Sequence, residues 1–180
     1  GRPRERDVLA VTTRPVIASH SSARALTDHH RNINDELLRA IGANGGVVMV
    51  NFYSDFIDPV FNRTLPERYQ RMATLGAKLG DDPRLDWMVE EETRARLPRT
   101  PLATLVDHID HVAKVAGVDH VGLGSDFDGA PFMPAGLDGV QDLPKLSAAL
   151  QARGYSDADL AKILGGNVLR VMEANQPAAP

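Results

Sequence analysis

Three side chains at the ends of buried runs have the types and spacing to do chemistry. His20 follows the short apolar run Val16-Ile17-Ala18 and stands in a polar loop, Ser19-His20-Ser21-Ser22. In parallel α/β proteins functional side chains collect where strands end and loops begin. A neutral imidazole there offers a lone pair near neutral pH, as a metal ligand or an acid/base. It can equally make a hydrogen bond in the rim, and position alone leaves both readings open. A second strand end, Gly122-Leu-Gly-Ser-Asp-Phe-Asp-Gly129, delivers two carboxylates. A carboxylate at such a rim binds a metal-held water or acts as a general base, whereas Asp beside Gly also builds tight turns. The residues favour chemistry for Asp126 and a turn for Asp128. Arg31, in the loop His29-His30-Arg31-Asn32, is near the same rim. Its guanidinium could grip a carboxylate with two hydrogen bonds, but on its own it reads as a loop-surface arginine.

Other patterns fall away. A dinucleotide loop beginning Gly122-x-Gly124 needs glycine at 127, where Phe127 stands. A calcium loop opening at Asp126 needs glutamate at 137, where Leu137 stands. His108 and His111 share an i, i+3 spacing, but they lie in an amphipathic helix ahead of the third strand. That places them in the outer layer, where helix packing or solvation is the expected role. His120 begins a strand, the end associated with stability.

The elements that position these residues follow from the hydrophobic pattern. Apolar runs at Val16–Ala18, Val47–Phe52 and His120–Gly124 show no polar alternation, as in parallel strands covered on both faces. Helical spacing links Ile33, Leu37, Leu38 and Ile41, with Asn34 as N-cap and Asn44-Gly45 as the stop. Thr100-Pro101 predicts an N-cap with proline at the first helical position. Leu143–Arg153, Ser156–Leu164 and Asn167–Glu173 complete the helices. The order is a run of βα units. Residues 61–97 form a charged helical excursion without a strand, and 176–180 a frayed tail.

Bulk properties narrow the class. The chain has 180 residues, 43% of them hydrophobic and 24% charged, which suits a single domain. A net charge of −4 gives no footprint for nucleic acid. With no cysteine, any metal must be held by His, Asp and Glu. No run approaches the ~18 apolar residues of a membrane span, and the first seven residues lack the apolar core of a signal peptide, so a cytoplasmic location is favoured. The chain does not begin with Met, so it is either processed or part of a longer protein.

Taken together, Ser19–Arg24, His30–Leu38, Asn44–Tyr53, His108–Val112, His120–Gly129 and Ile163–Val171 resemble the membrane (renal) dipeptidase family of metallopeptidases. The resemblance runs in order over nearly the whole chain. It implies an α/β fold, a (β/α)8 barrel with two zinc ions at the C-terminal ends of its strands, of which this chain would supply the sixth to eighth. By resemblance His20 is a zinc ligand, Arg31 grips the terminal carboxylate of a dipeptide substrate, and Asp126 handles the proton during peptide cleavage. The resemblance therefore reverses the reading of Arg31. It also implies a His-x-Asp pair, a bridging glutamate and a further histidine, none of which precedes His20 here. Residues 1–180 are then the C-terminal portion of one barrel domain, incomplete as it stands and inactive alone, since a full barrel takes about 250 residues. A homodimer is compatible with the resemblance. The rival readings are another metal-dependent barrel hydrolase, acting on esters, lactones or cyclic amides, and a non-catalytic barrel remnant.

Overall fold

The three apolar runs pair side by side. In the computed structural model, which describes residues 3–177, β1 (Ile17–Ala18), β2 (Val47–Val50) and β3 (Val121–Leu123) form one parallel sheet in the order β1-β2-β3. Ile17 lies opposite Val47, and Val48 opposite Val121. Val47, Val48 and Val50 are all fully buried, so both faces of β2 are covered and no alternation survives in the sequence. Of the expected frayed tail 176–180, residues 178–180 lie outside the described residues.

The strands are shorter than their apolar runs. The run through Phe52 predicts a longer β2, but the ladder stops at Val50, whose carbonyl accepts the Gly124 N–H at 2.9 Å. Asn51 and Phe52 are then free of the ladder and begin the functional end. His120 belongs to a 3-10 turn, Val118–His120, ahead of β3, and its Nδ1 donates to the Gly46 carbonyl at 2.8 Å.

Helices α1 (Pro3–Val11) and α2 (Asp35–Ala43) lie in contact, and α2 also packs on α6 (Leu102–Ala116). The Asn34 side chain accepts the Leu37 N–H, and Asp35 and Glu36 occupy the first turn of α2, where the helix dipole favours negative charge. Leu37, Leu38 and Ile41 face the core, and Gly45, at φ +77°, makes the reversal into β2. The start of α6 differs from expectation by one residue. Pro101 takes the cap place, and Thr100, fully buried, donates its hydroxyl to Asp58 Oδ2 at 3.0 Å.

Between β2 and α6 run α3 (Ser54–Ile57), α4 (Pro59–Leu79) and α5 (Leu85–Arg96). α4 and α5 pair through buried Leu75, Val89 and Thr93. Exposed ion pairs, Arg71–Glu92 at 2.6 Å and Arg96–Glu67 at 2.7 Å, flank that seam and add little to stability. After β3 come α7 (Leu143–Ala152), α8 (Asp157–Ala161) and α9 (Asn167–Ala174). Ser156 and Asp159 make a reciprocal capping box for α8. A π-turn at Lys162–Gly166 separates α8 from α9, which packs on β2 and β3.

Candidate active site

The C-terminal ends of the strands meet because the backbones there approach closely. A Cβ at Gly124 would lie 2.1 Å from the Ser19 carbonyl oxygen and 3.1 Å from the His20 Cα. Only glycine allows the end of β3 to touch the end of β1 in this way. The Ser21 N–H donates to the Met49 carbonyl at 3.1 Å, so cross-strand order continues beyond the ladder. His20 is thereby set beside the loop that carries Asp126.

His20 is half-buried. Its Nδ1 lies 2.7 Å from Ser19 Oγ, and its Nε2 lies 2.5 Å from Arg31 Nη2. A guanidinium only donates, so Nε2 is the acceptor and the ring proton sits on Nδ1, donated to Ser19. In that tautomer Nε2 carries the ring's in-plane lone pair, which here accepts from Arg31 and which a Lewis acid could take only in place of that contact. Arg31 is exposed.

Asp126 and Asp128 both adopt left-handed backbone, φ +60° and +66°, a conformation that Asp tolerates better than most residues. The Gly129 N–H donates to the Asp126 carbonyl at 3.1 Å, which closes the turn through main chain. The Asp126 side chain is therefore spared, and its Oδ2 accepts from Asn51 Nδ2 at 3.1 Å. Asp128 is exposed. Asn51, fully buried, ties the ends together: its Oδ1 accepts the Tyr53 N–H at 2.5 Å and its carbonyl accepts Ser22 Oγ at 3.2 Å. Sequence reasoning passed over Asn51 as a strand residue. The available signal was an amide closing an otherwise apolar run, Val-Val-Met-Val-Asn.

A second polar cluster, also unforeseen, supports the rim from behind. Asp55 on α3 is buried and ion-pairs with Arg68 of α4. Burial pushes the Asp55 carboxyl above the usual carboxylate range against the pull of Tyr53 and Arg68. Burial, with Asp55 beside it, also raises the Tyr53 phenol. The remaining histidines stand apart from the site. His108 is buried, accepts the Ala23 N–H on Nδ1 at 3.1 Å and donates from Nε2 to the Ile57 carbonyl at 3.0 Å. Burial lowers its pKa to about 4. His111 faces Asp35 at 2.7 Å instead of His108's partners.

Residues 3–179 match the family model described as membrane dipeptidase, peptidase family M19. The chain belongs to that family. An uncharacterized dipeptidase of Schizosaccharomyces pombe is 39% identical over 174 residues, which are 96% of this chain and 33% of the relative. The probable dipeptidase PvdM of Pseudomonas aeruginosa superposes with a TM-score of 0.78 at 31% identity, over 96% of this chain and 48% of that one. A metallopeptidase of Rhodobacter sphaeroides, solved with a phosphinate mimic of the dipeptide L-Ala-D-Ala, gives 0.75 at 28% identity, over 98% and 40%. The chain thus spans about a third of the length of the curated relatives it matches. Its parallel strands and helices are part of the (β/α)8 barrel of this membrane dipeptidase fold.

The family is metal-dependent, and the donor set can be tested against that need. A catalytic zinc takes about three protein ligands and keeps an open position. Among the described residues no group of three or more His, Cys, Asp or Glu side chains could hold an ion. His20 has the tautomer of a ligand, but one imidazole does not make a site. The residues of this segment alone do not fit the metal centre of a membrane dipeptidase. Among the described residues no helix is long and apolar enough to cross a membrane.

Proposed function

We propose that the complete protein to which this chain belongs is a zinc-dependent dipeptidase, and that this chain alone is inactive. In that reading His20 is one zinc ligand and its co-ligands lie outside these 180 residues. Zinc, if held by His20 together with ligands from the rest of the protein, would supply Lewis acidity, making a carbonyl more electrophilic and water more acidic. Arg31 takes the substrate's terminal carboxylate through its paired N–H donors. That anchor, one residue from the scissile bond, selects dipeptides over longer chains. Asp126, held by Asn51, accepts a proton from the attacking water and returns it to the leaving amine nitrogen. The observation that carries the reading is the convergence of an imidazole, a guanidinium that joins no ion pair among the described residues and an amide-held carboxylate on neighbouring strand ends, in a chain matched to the family almost end to end.

The test is hydrolysis of L-Ala-D-Ala, the dipeptide whose mimic occupies the Rhodobacter relative. In the complete protein Asp126→Asn is expected to lower kcat by about 10²–10⁴-fold, and Arg31→Ala to raise KM. The isolated chain with added zinc should show no turnover. Robust turnover that His20→Ala abolishes would overturn the claim of inactivity, and activity confined to esters or lactones would transfer the protein to the rival hydrolase reading.

A further inference from the structure

Arg71, Arg96 and Arg153 each face a carboxylate, whereas Arg31 joins no ion pair among the described residues. Its guanidinium carbon instead lies over the ring of Phe56, 5.3 Å from the centroid. We propose that Phe56, backed by His29, is a positioning residue for Arg31, the aromatic face that presents its guanidinium to the substrate carboxylate. This inference rests on the dipeptidase reading given above.

The platform is rigid for identifiable reasons. Phe56 is only 4% exposed. The His29 ring stacks on it at 4.2 Å and 26°, and the Tyr53 ring stands at 5.5 Å. His29 has a double role, because its Nδ1 also accepts the Arg31 N–H at 3.2 Å. Asn32, next in sequence, donates from Nδ2 to the Phe56 carbonyl at 2.6 Å and the Thr27 carbonyl at 2.9 Å, and accepts the Ser22 N–H. The loop that carries Arg31 is thus fastened to the helix turn that carries its platform. Asp55, the neighbour of Phe56, fixes that turn to α4 through Arg68.

Two contacts hold the Arg31 side chain, and they differ in permanence. The His20 Nε2 lone pair can accept from Arg31 or serve a metal, but not both. In a metal-loaded protein the ring of Phe56 is the remaining side-chain contact of Arg31 described here. A guanidinium resting on an aromatic face keeps its in-plane N–H donors for an anion. An otherwise loose arginine would surrender considerable rotamer freedom on binding, and a preset one surrenders less.

The experiment replaces Phe56 in the complete protein with Leu, with Trp and with mono- to pentafluorinated phenylalanine, which drain charge from the ring face while keeping its shape. Phe56→Leu should raise the KM for L-Ala-D-Ala by about threefold to fivefold, the size of a partly exposed cation–π contact, with kcat unchanged. Phe56→Trp should retain wild-type KM, and KM should climb with each added fluorine. In the 180-residue chain the Arg31 side-chain NMR resonances, shifted by the ring current of Phe56, should move to ordinary values in Phe56→Leu without any substrate. If Phe56→Leu does not fold, the fluorinated series decides. A KM that stays flat across that series while Arg31→Ala raises it overturns the platform and leaves the dipeptidase reading intact. If Arg31→Ala itself leaves KM unmoved, the carboxylate reading fails.

Discussion

His108 links the loop after β1 to the end of α3, and its burial sets a pH limit on the fold. An ordinary histidine has a pKa near 6.5, and here burial lowers it to about 4. Protonation is then disfavoured in the folded state, so between these values the unfolded chain binds more protons. Stability must rise with pH across that window. It is fully present above the unfolded value, falls as pH drops from 6.5 toward 4, and is flat below. At about 1.4 kcal/mol per unit, the whole window is worth about 3 kcal/mol, of which about 2 kcal/mol is gone by pH 5. Carboxylates held low by cationic or hydroxyl partners, such as Asp82, Asp119 and Asp159, lose their contribution only at lower pH, while the raised Asp55 works in the opposite sense. The comparison is therefore wild type against His108→Gln, from about pH 8 to about pH 5, where those groups cancel. Urea unfolding followed by far-ultraviolet circular dichroism is the suitable assay, because Trp87, the one tryptophan, is 59% exposed and a poor reporter. The variant should start less stable, since the Ala23 N–H loses its acceptor, but its stability should change with pH by about 2 kcal/mol less than that of wild type. Parallel pH profiles for the two proteins would refute the argument.

Two further perturbations address the rim. Arg68→Met leaves the Asp55 carboxyl buried without its cation and should cost about 3–5 kcal/mol in urea unfolding, most of it recovered in the Arg68→Met/Asp55→Leu double variant. Arg31→Met should free the His20 Nε2 lone pair, so that diethyl pyrocarbonate modifies His20 faster, as read by peptide mass spectrometry. An unchanged rate would show that Arg31 does not occupy that nitrogen in solution.

What the sequence disclosed and what it concealed divide along the reach of local pattern. Strands covered on both faces leave unbroken apolar runs, so β1, β2 and β3 could be placed from Val16–Ala18, Val47–Phe52 and His120–Gly124 within one or two residues at either end. Asn34 and Ser156 announced their helices because a cap is a contact three residues long. Ser19–Ser22 and Gly122–Gly129 exposed the strand ends and with them His20 and Asp126. The partnerships that organise the rim span greater distances. Asp55 and Arg68 are 13 residues apart on different helices, and Asn51 and Asp126 are 75 apart. No periodicity connects such pairs. Asn51 was concealed for a further reason: it sits one residue past a ladder that the apolar run appeared to extend to Phe52. Thr100 followed cap chemistry by type, and a competing carboxylate at Asp58 redirected its hydroxyl.

The site therefore divides unevenly between this segment and whatever completes the barrel. Groups that would handle substrate are assembled from within: Gly124 brings β3 to β1, Asn51 holds Asp126, and Phe56 with His29 carries Arg31. These contacts are made between adjacent strands and their own loops, all within the described residues. Metal binding is a different kind of demand, because several ligands must converge on one point, and among the described residues no such group of side chains forms. Under the proposed reading, carboxylate recognition and proton transfer are properties of these three strand ends, while the metal is a property of the closed barrel. His20 is where the two meet. Its Nε2 is held by Arg31 within the segment and is the atom that a metal, held by ligands from elsewhere, would have to draw away from Arg31.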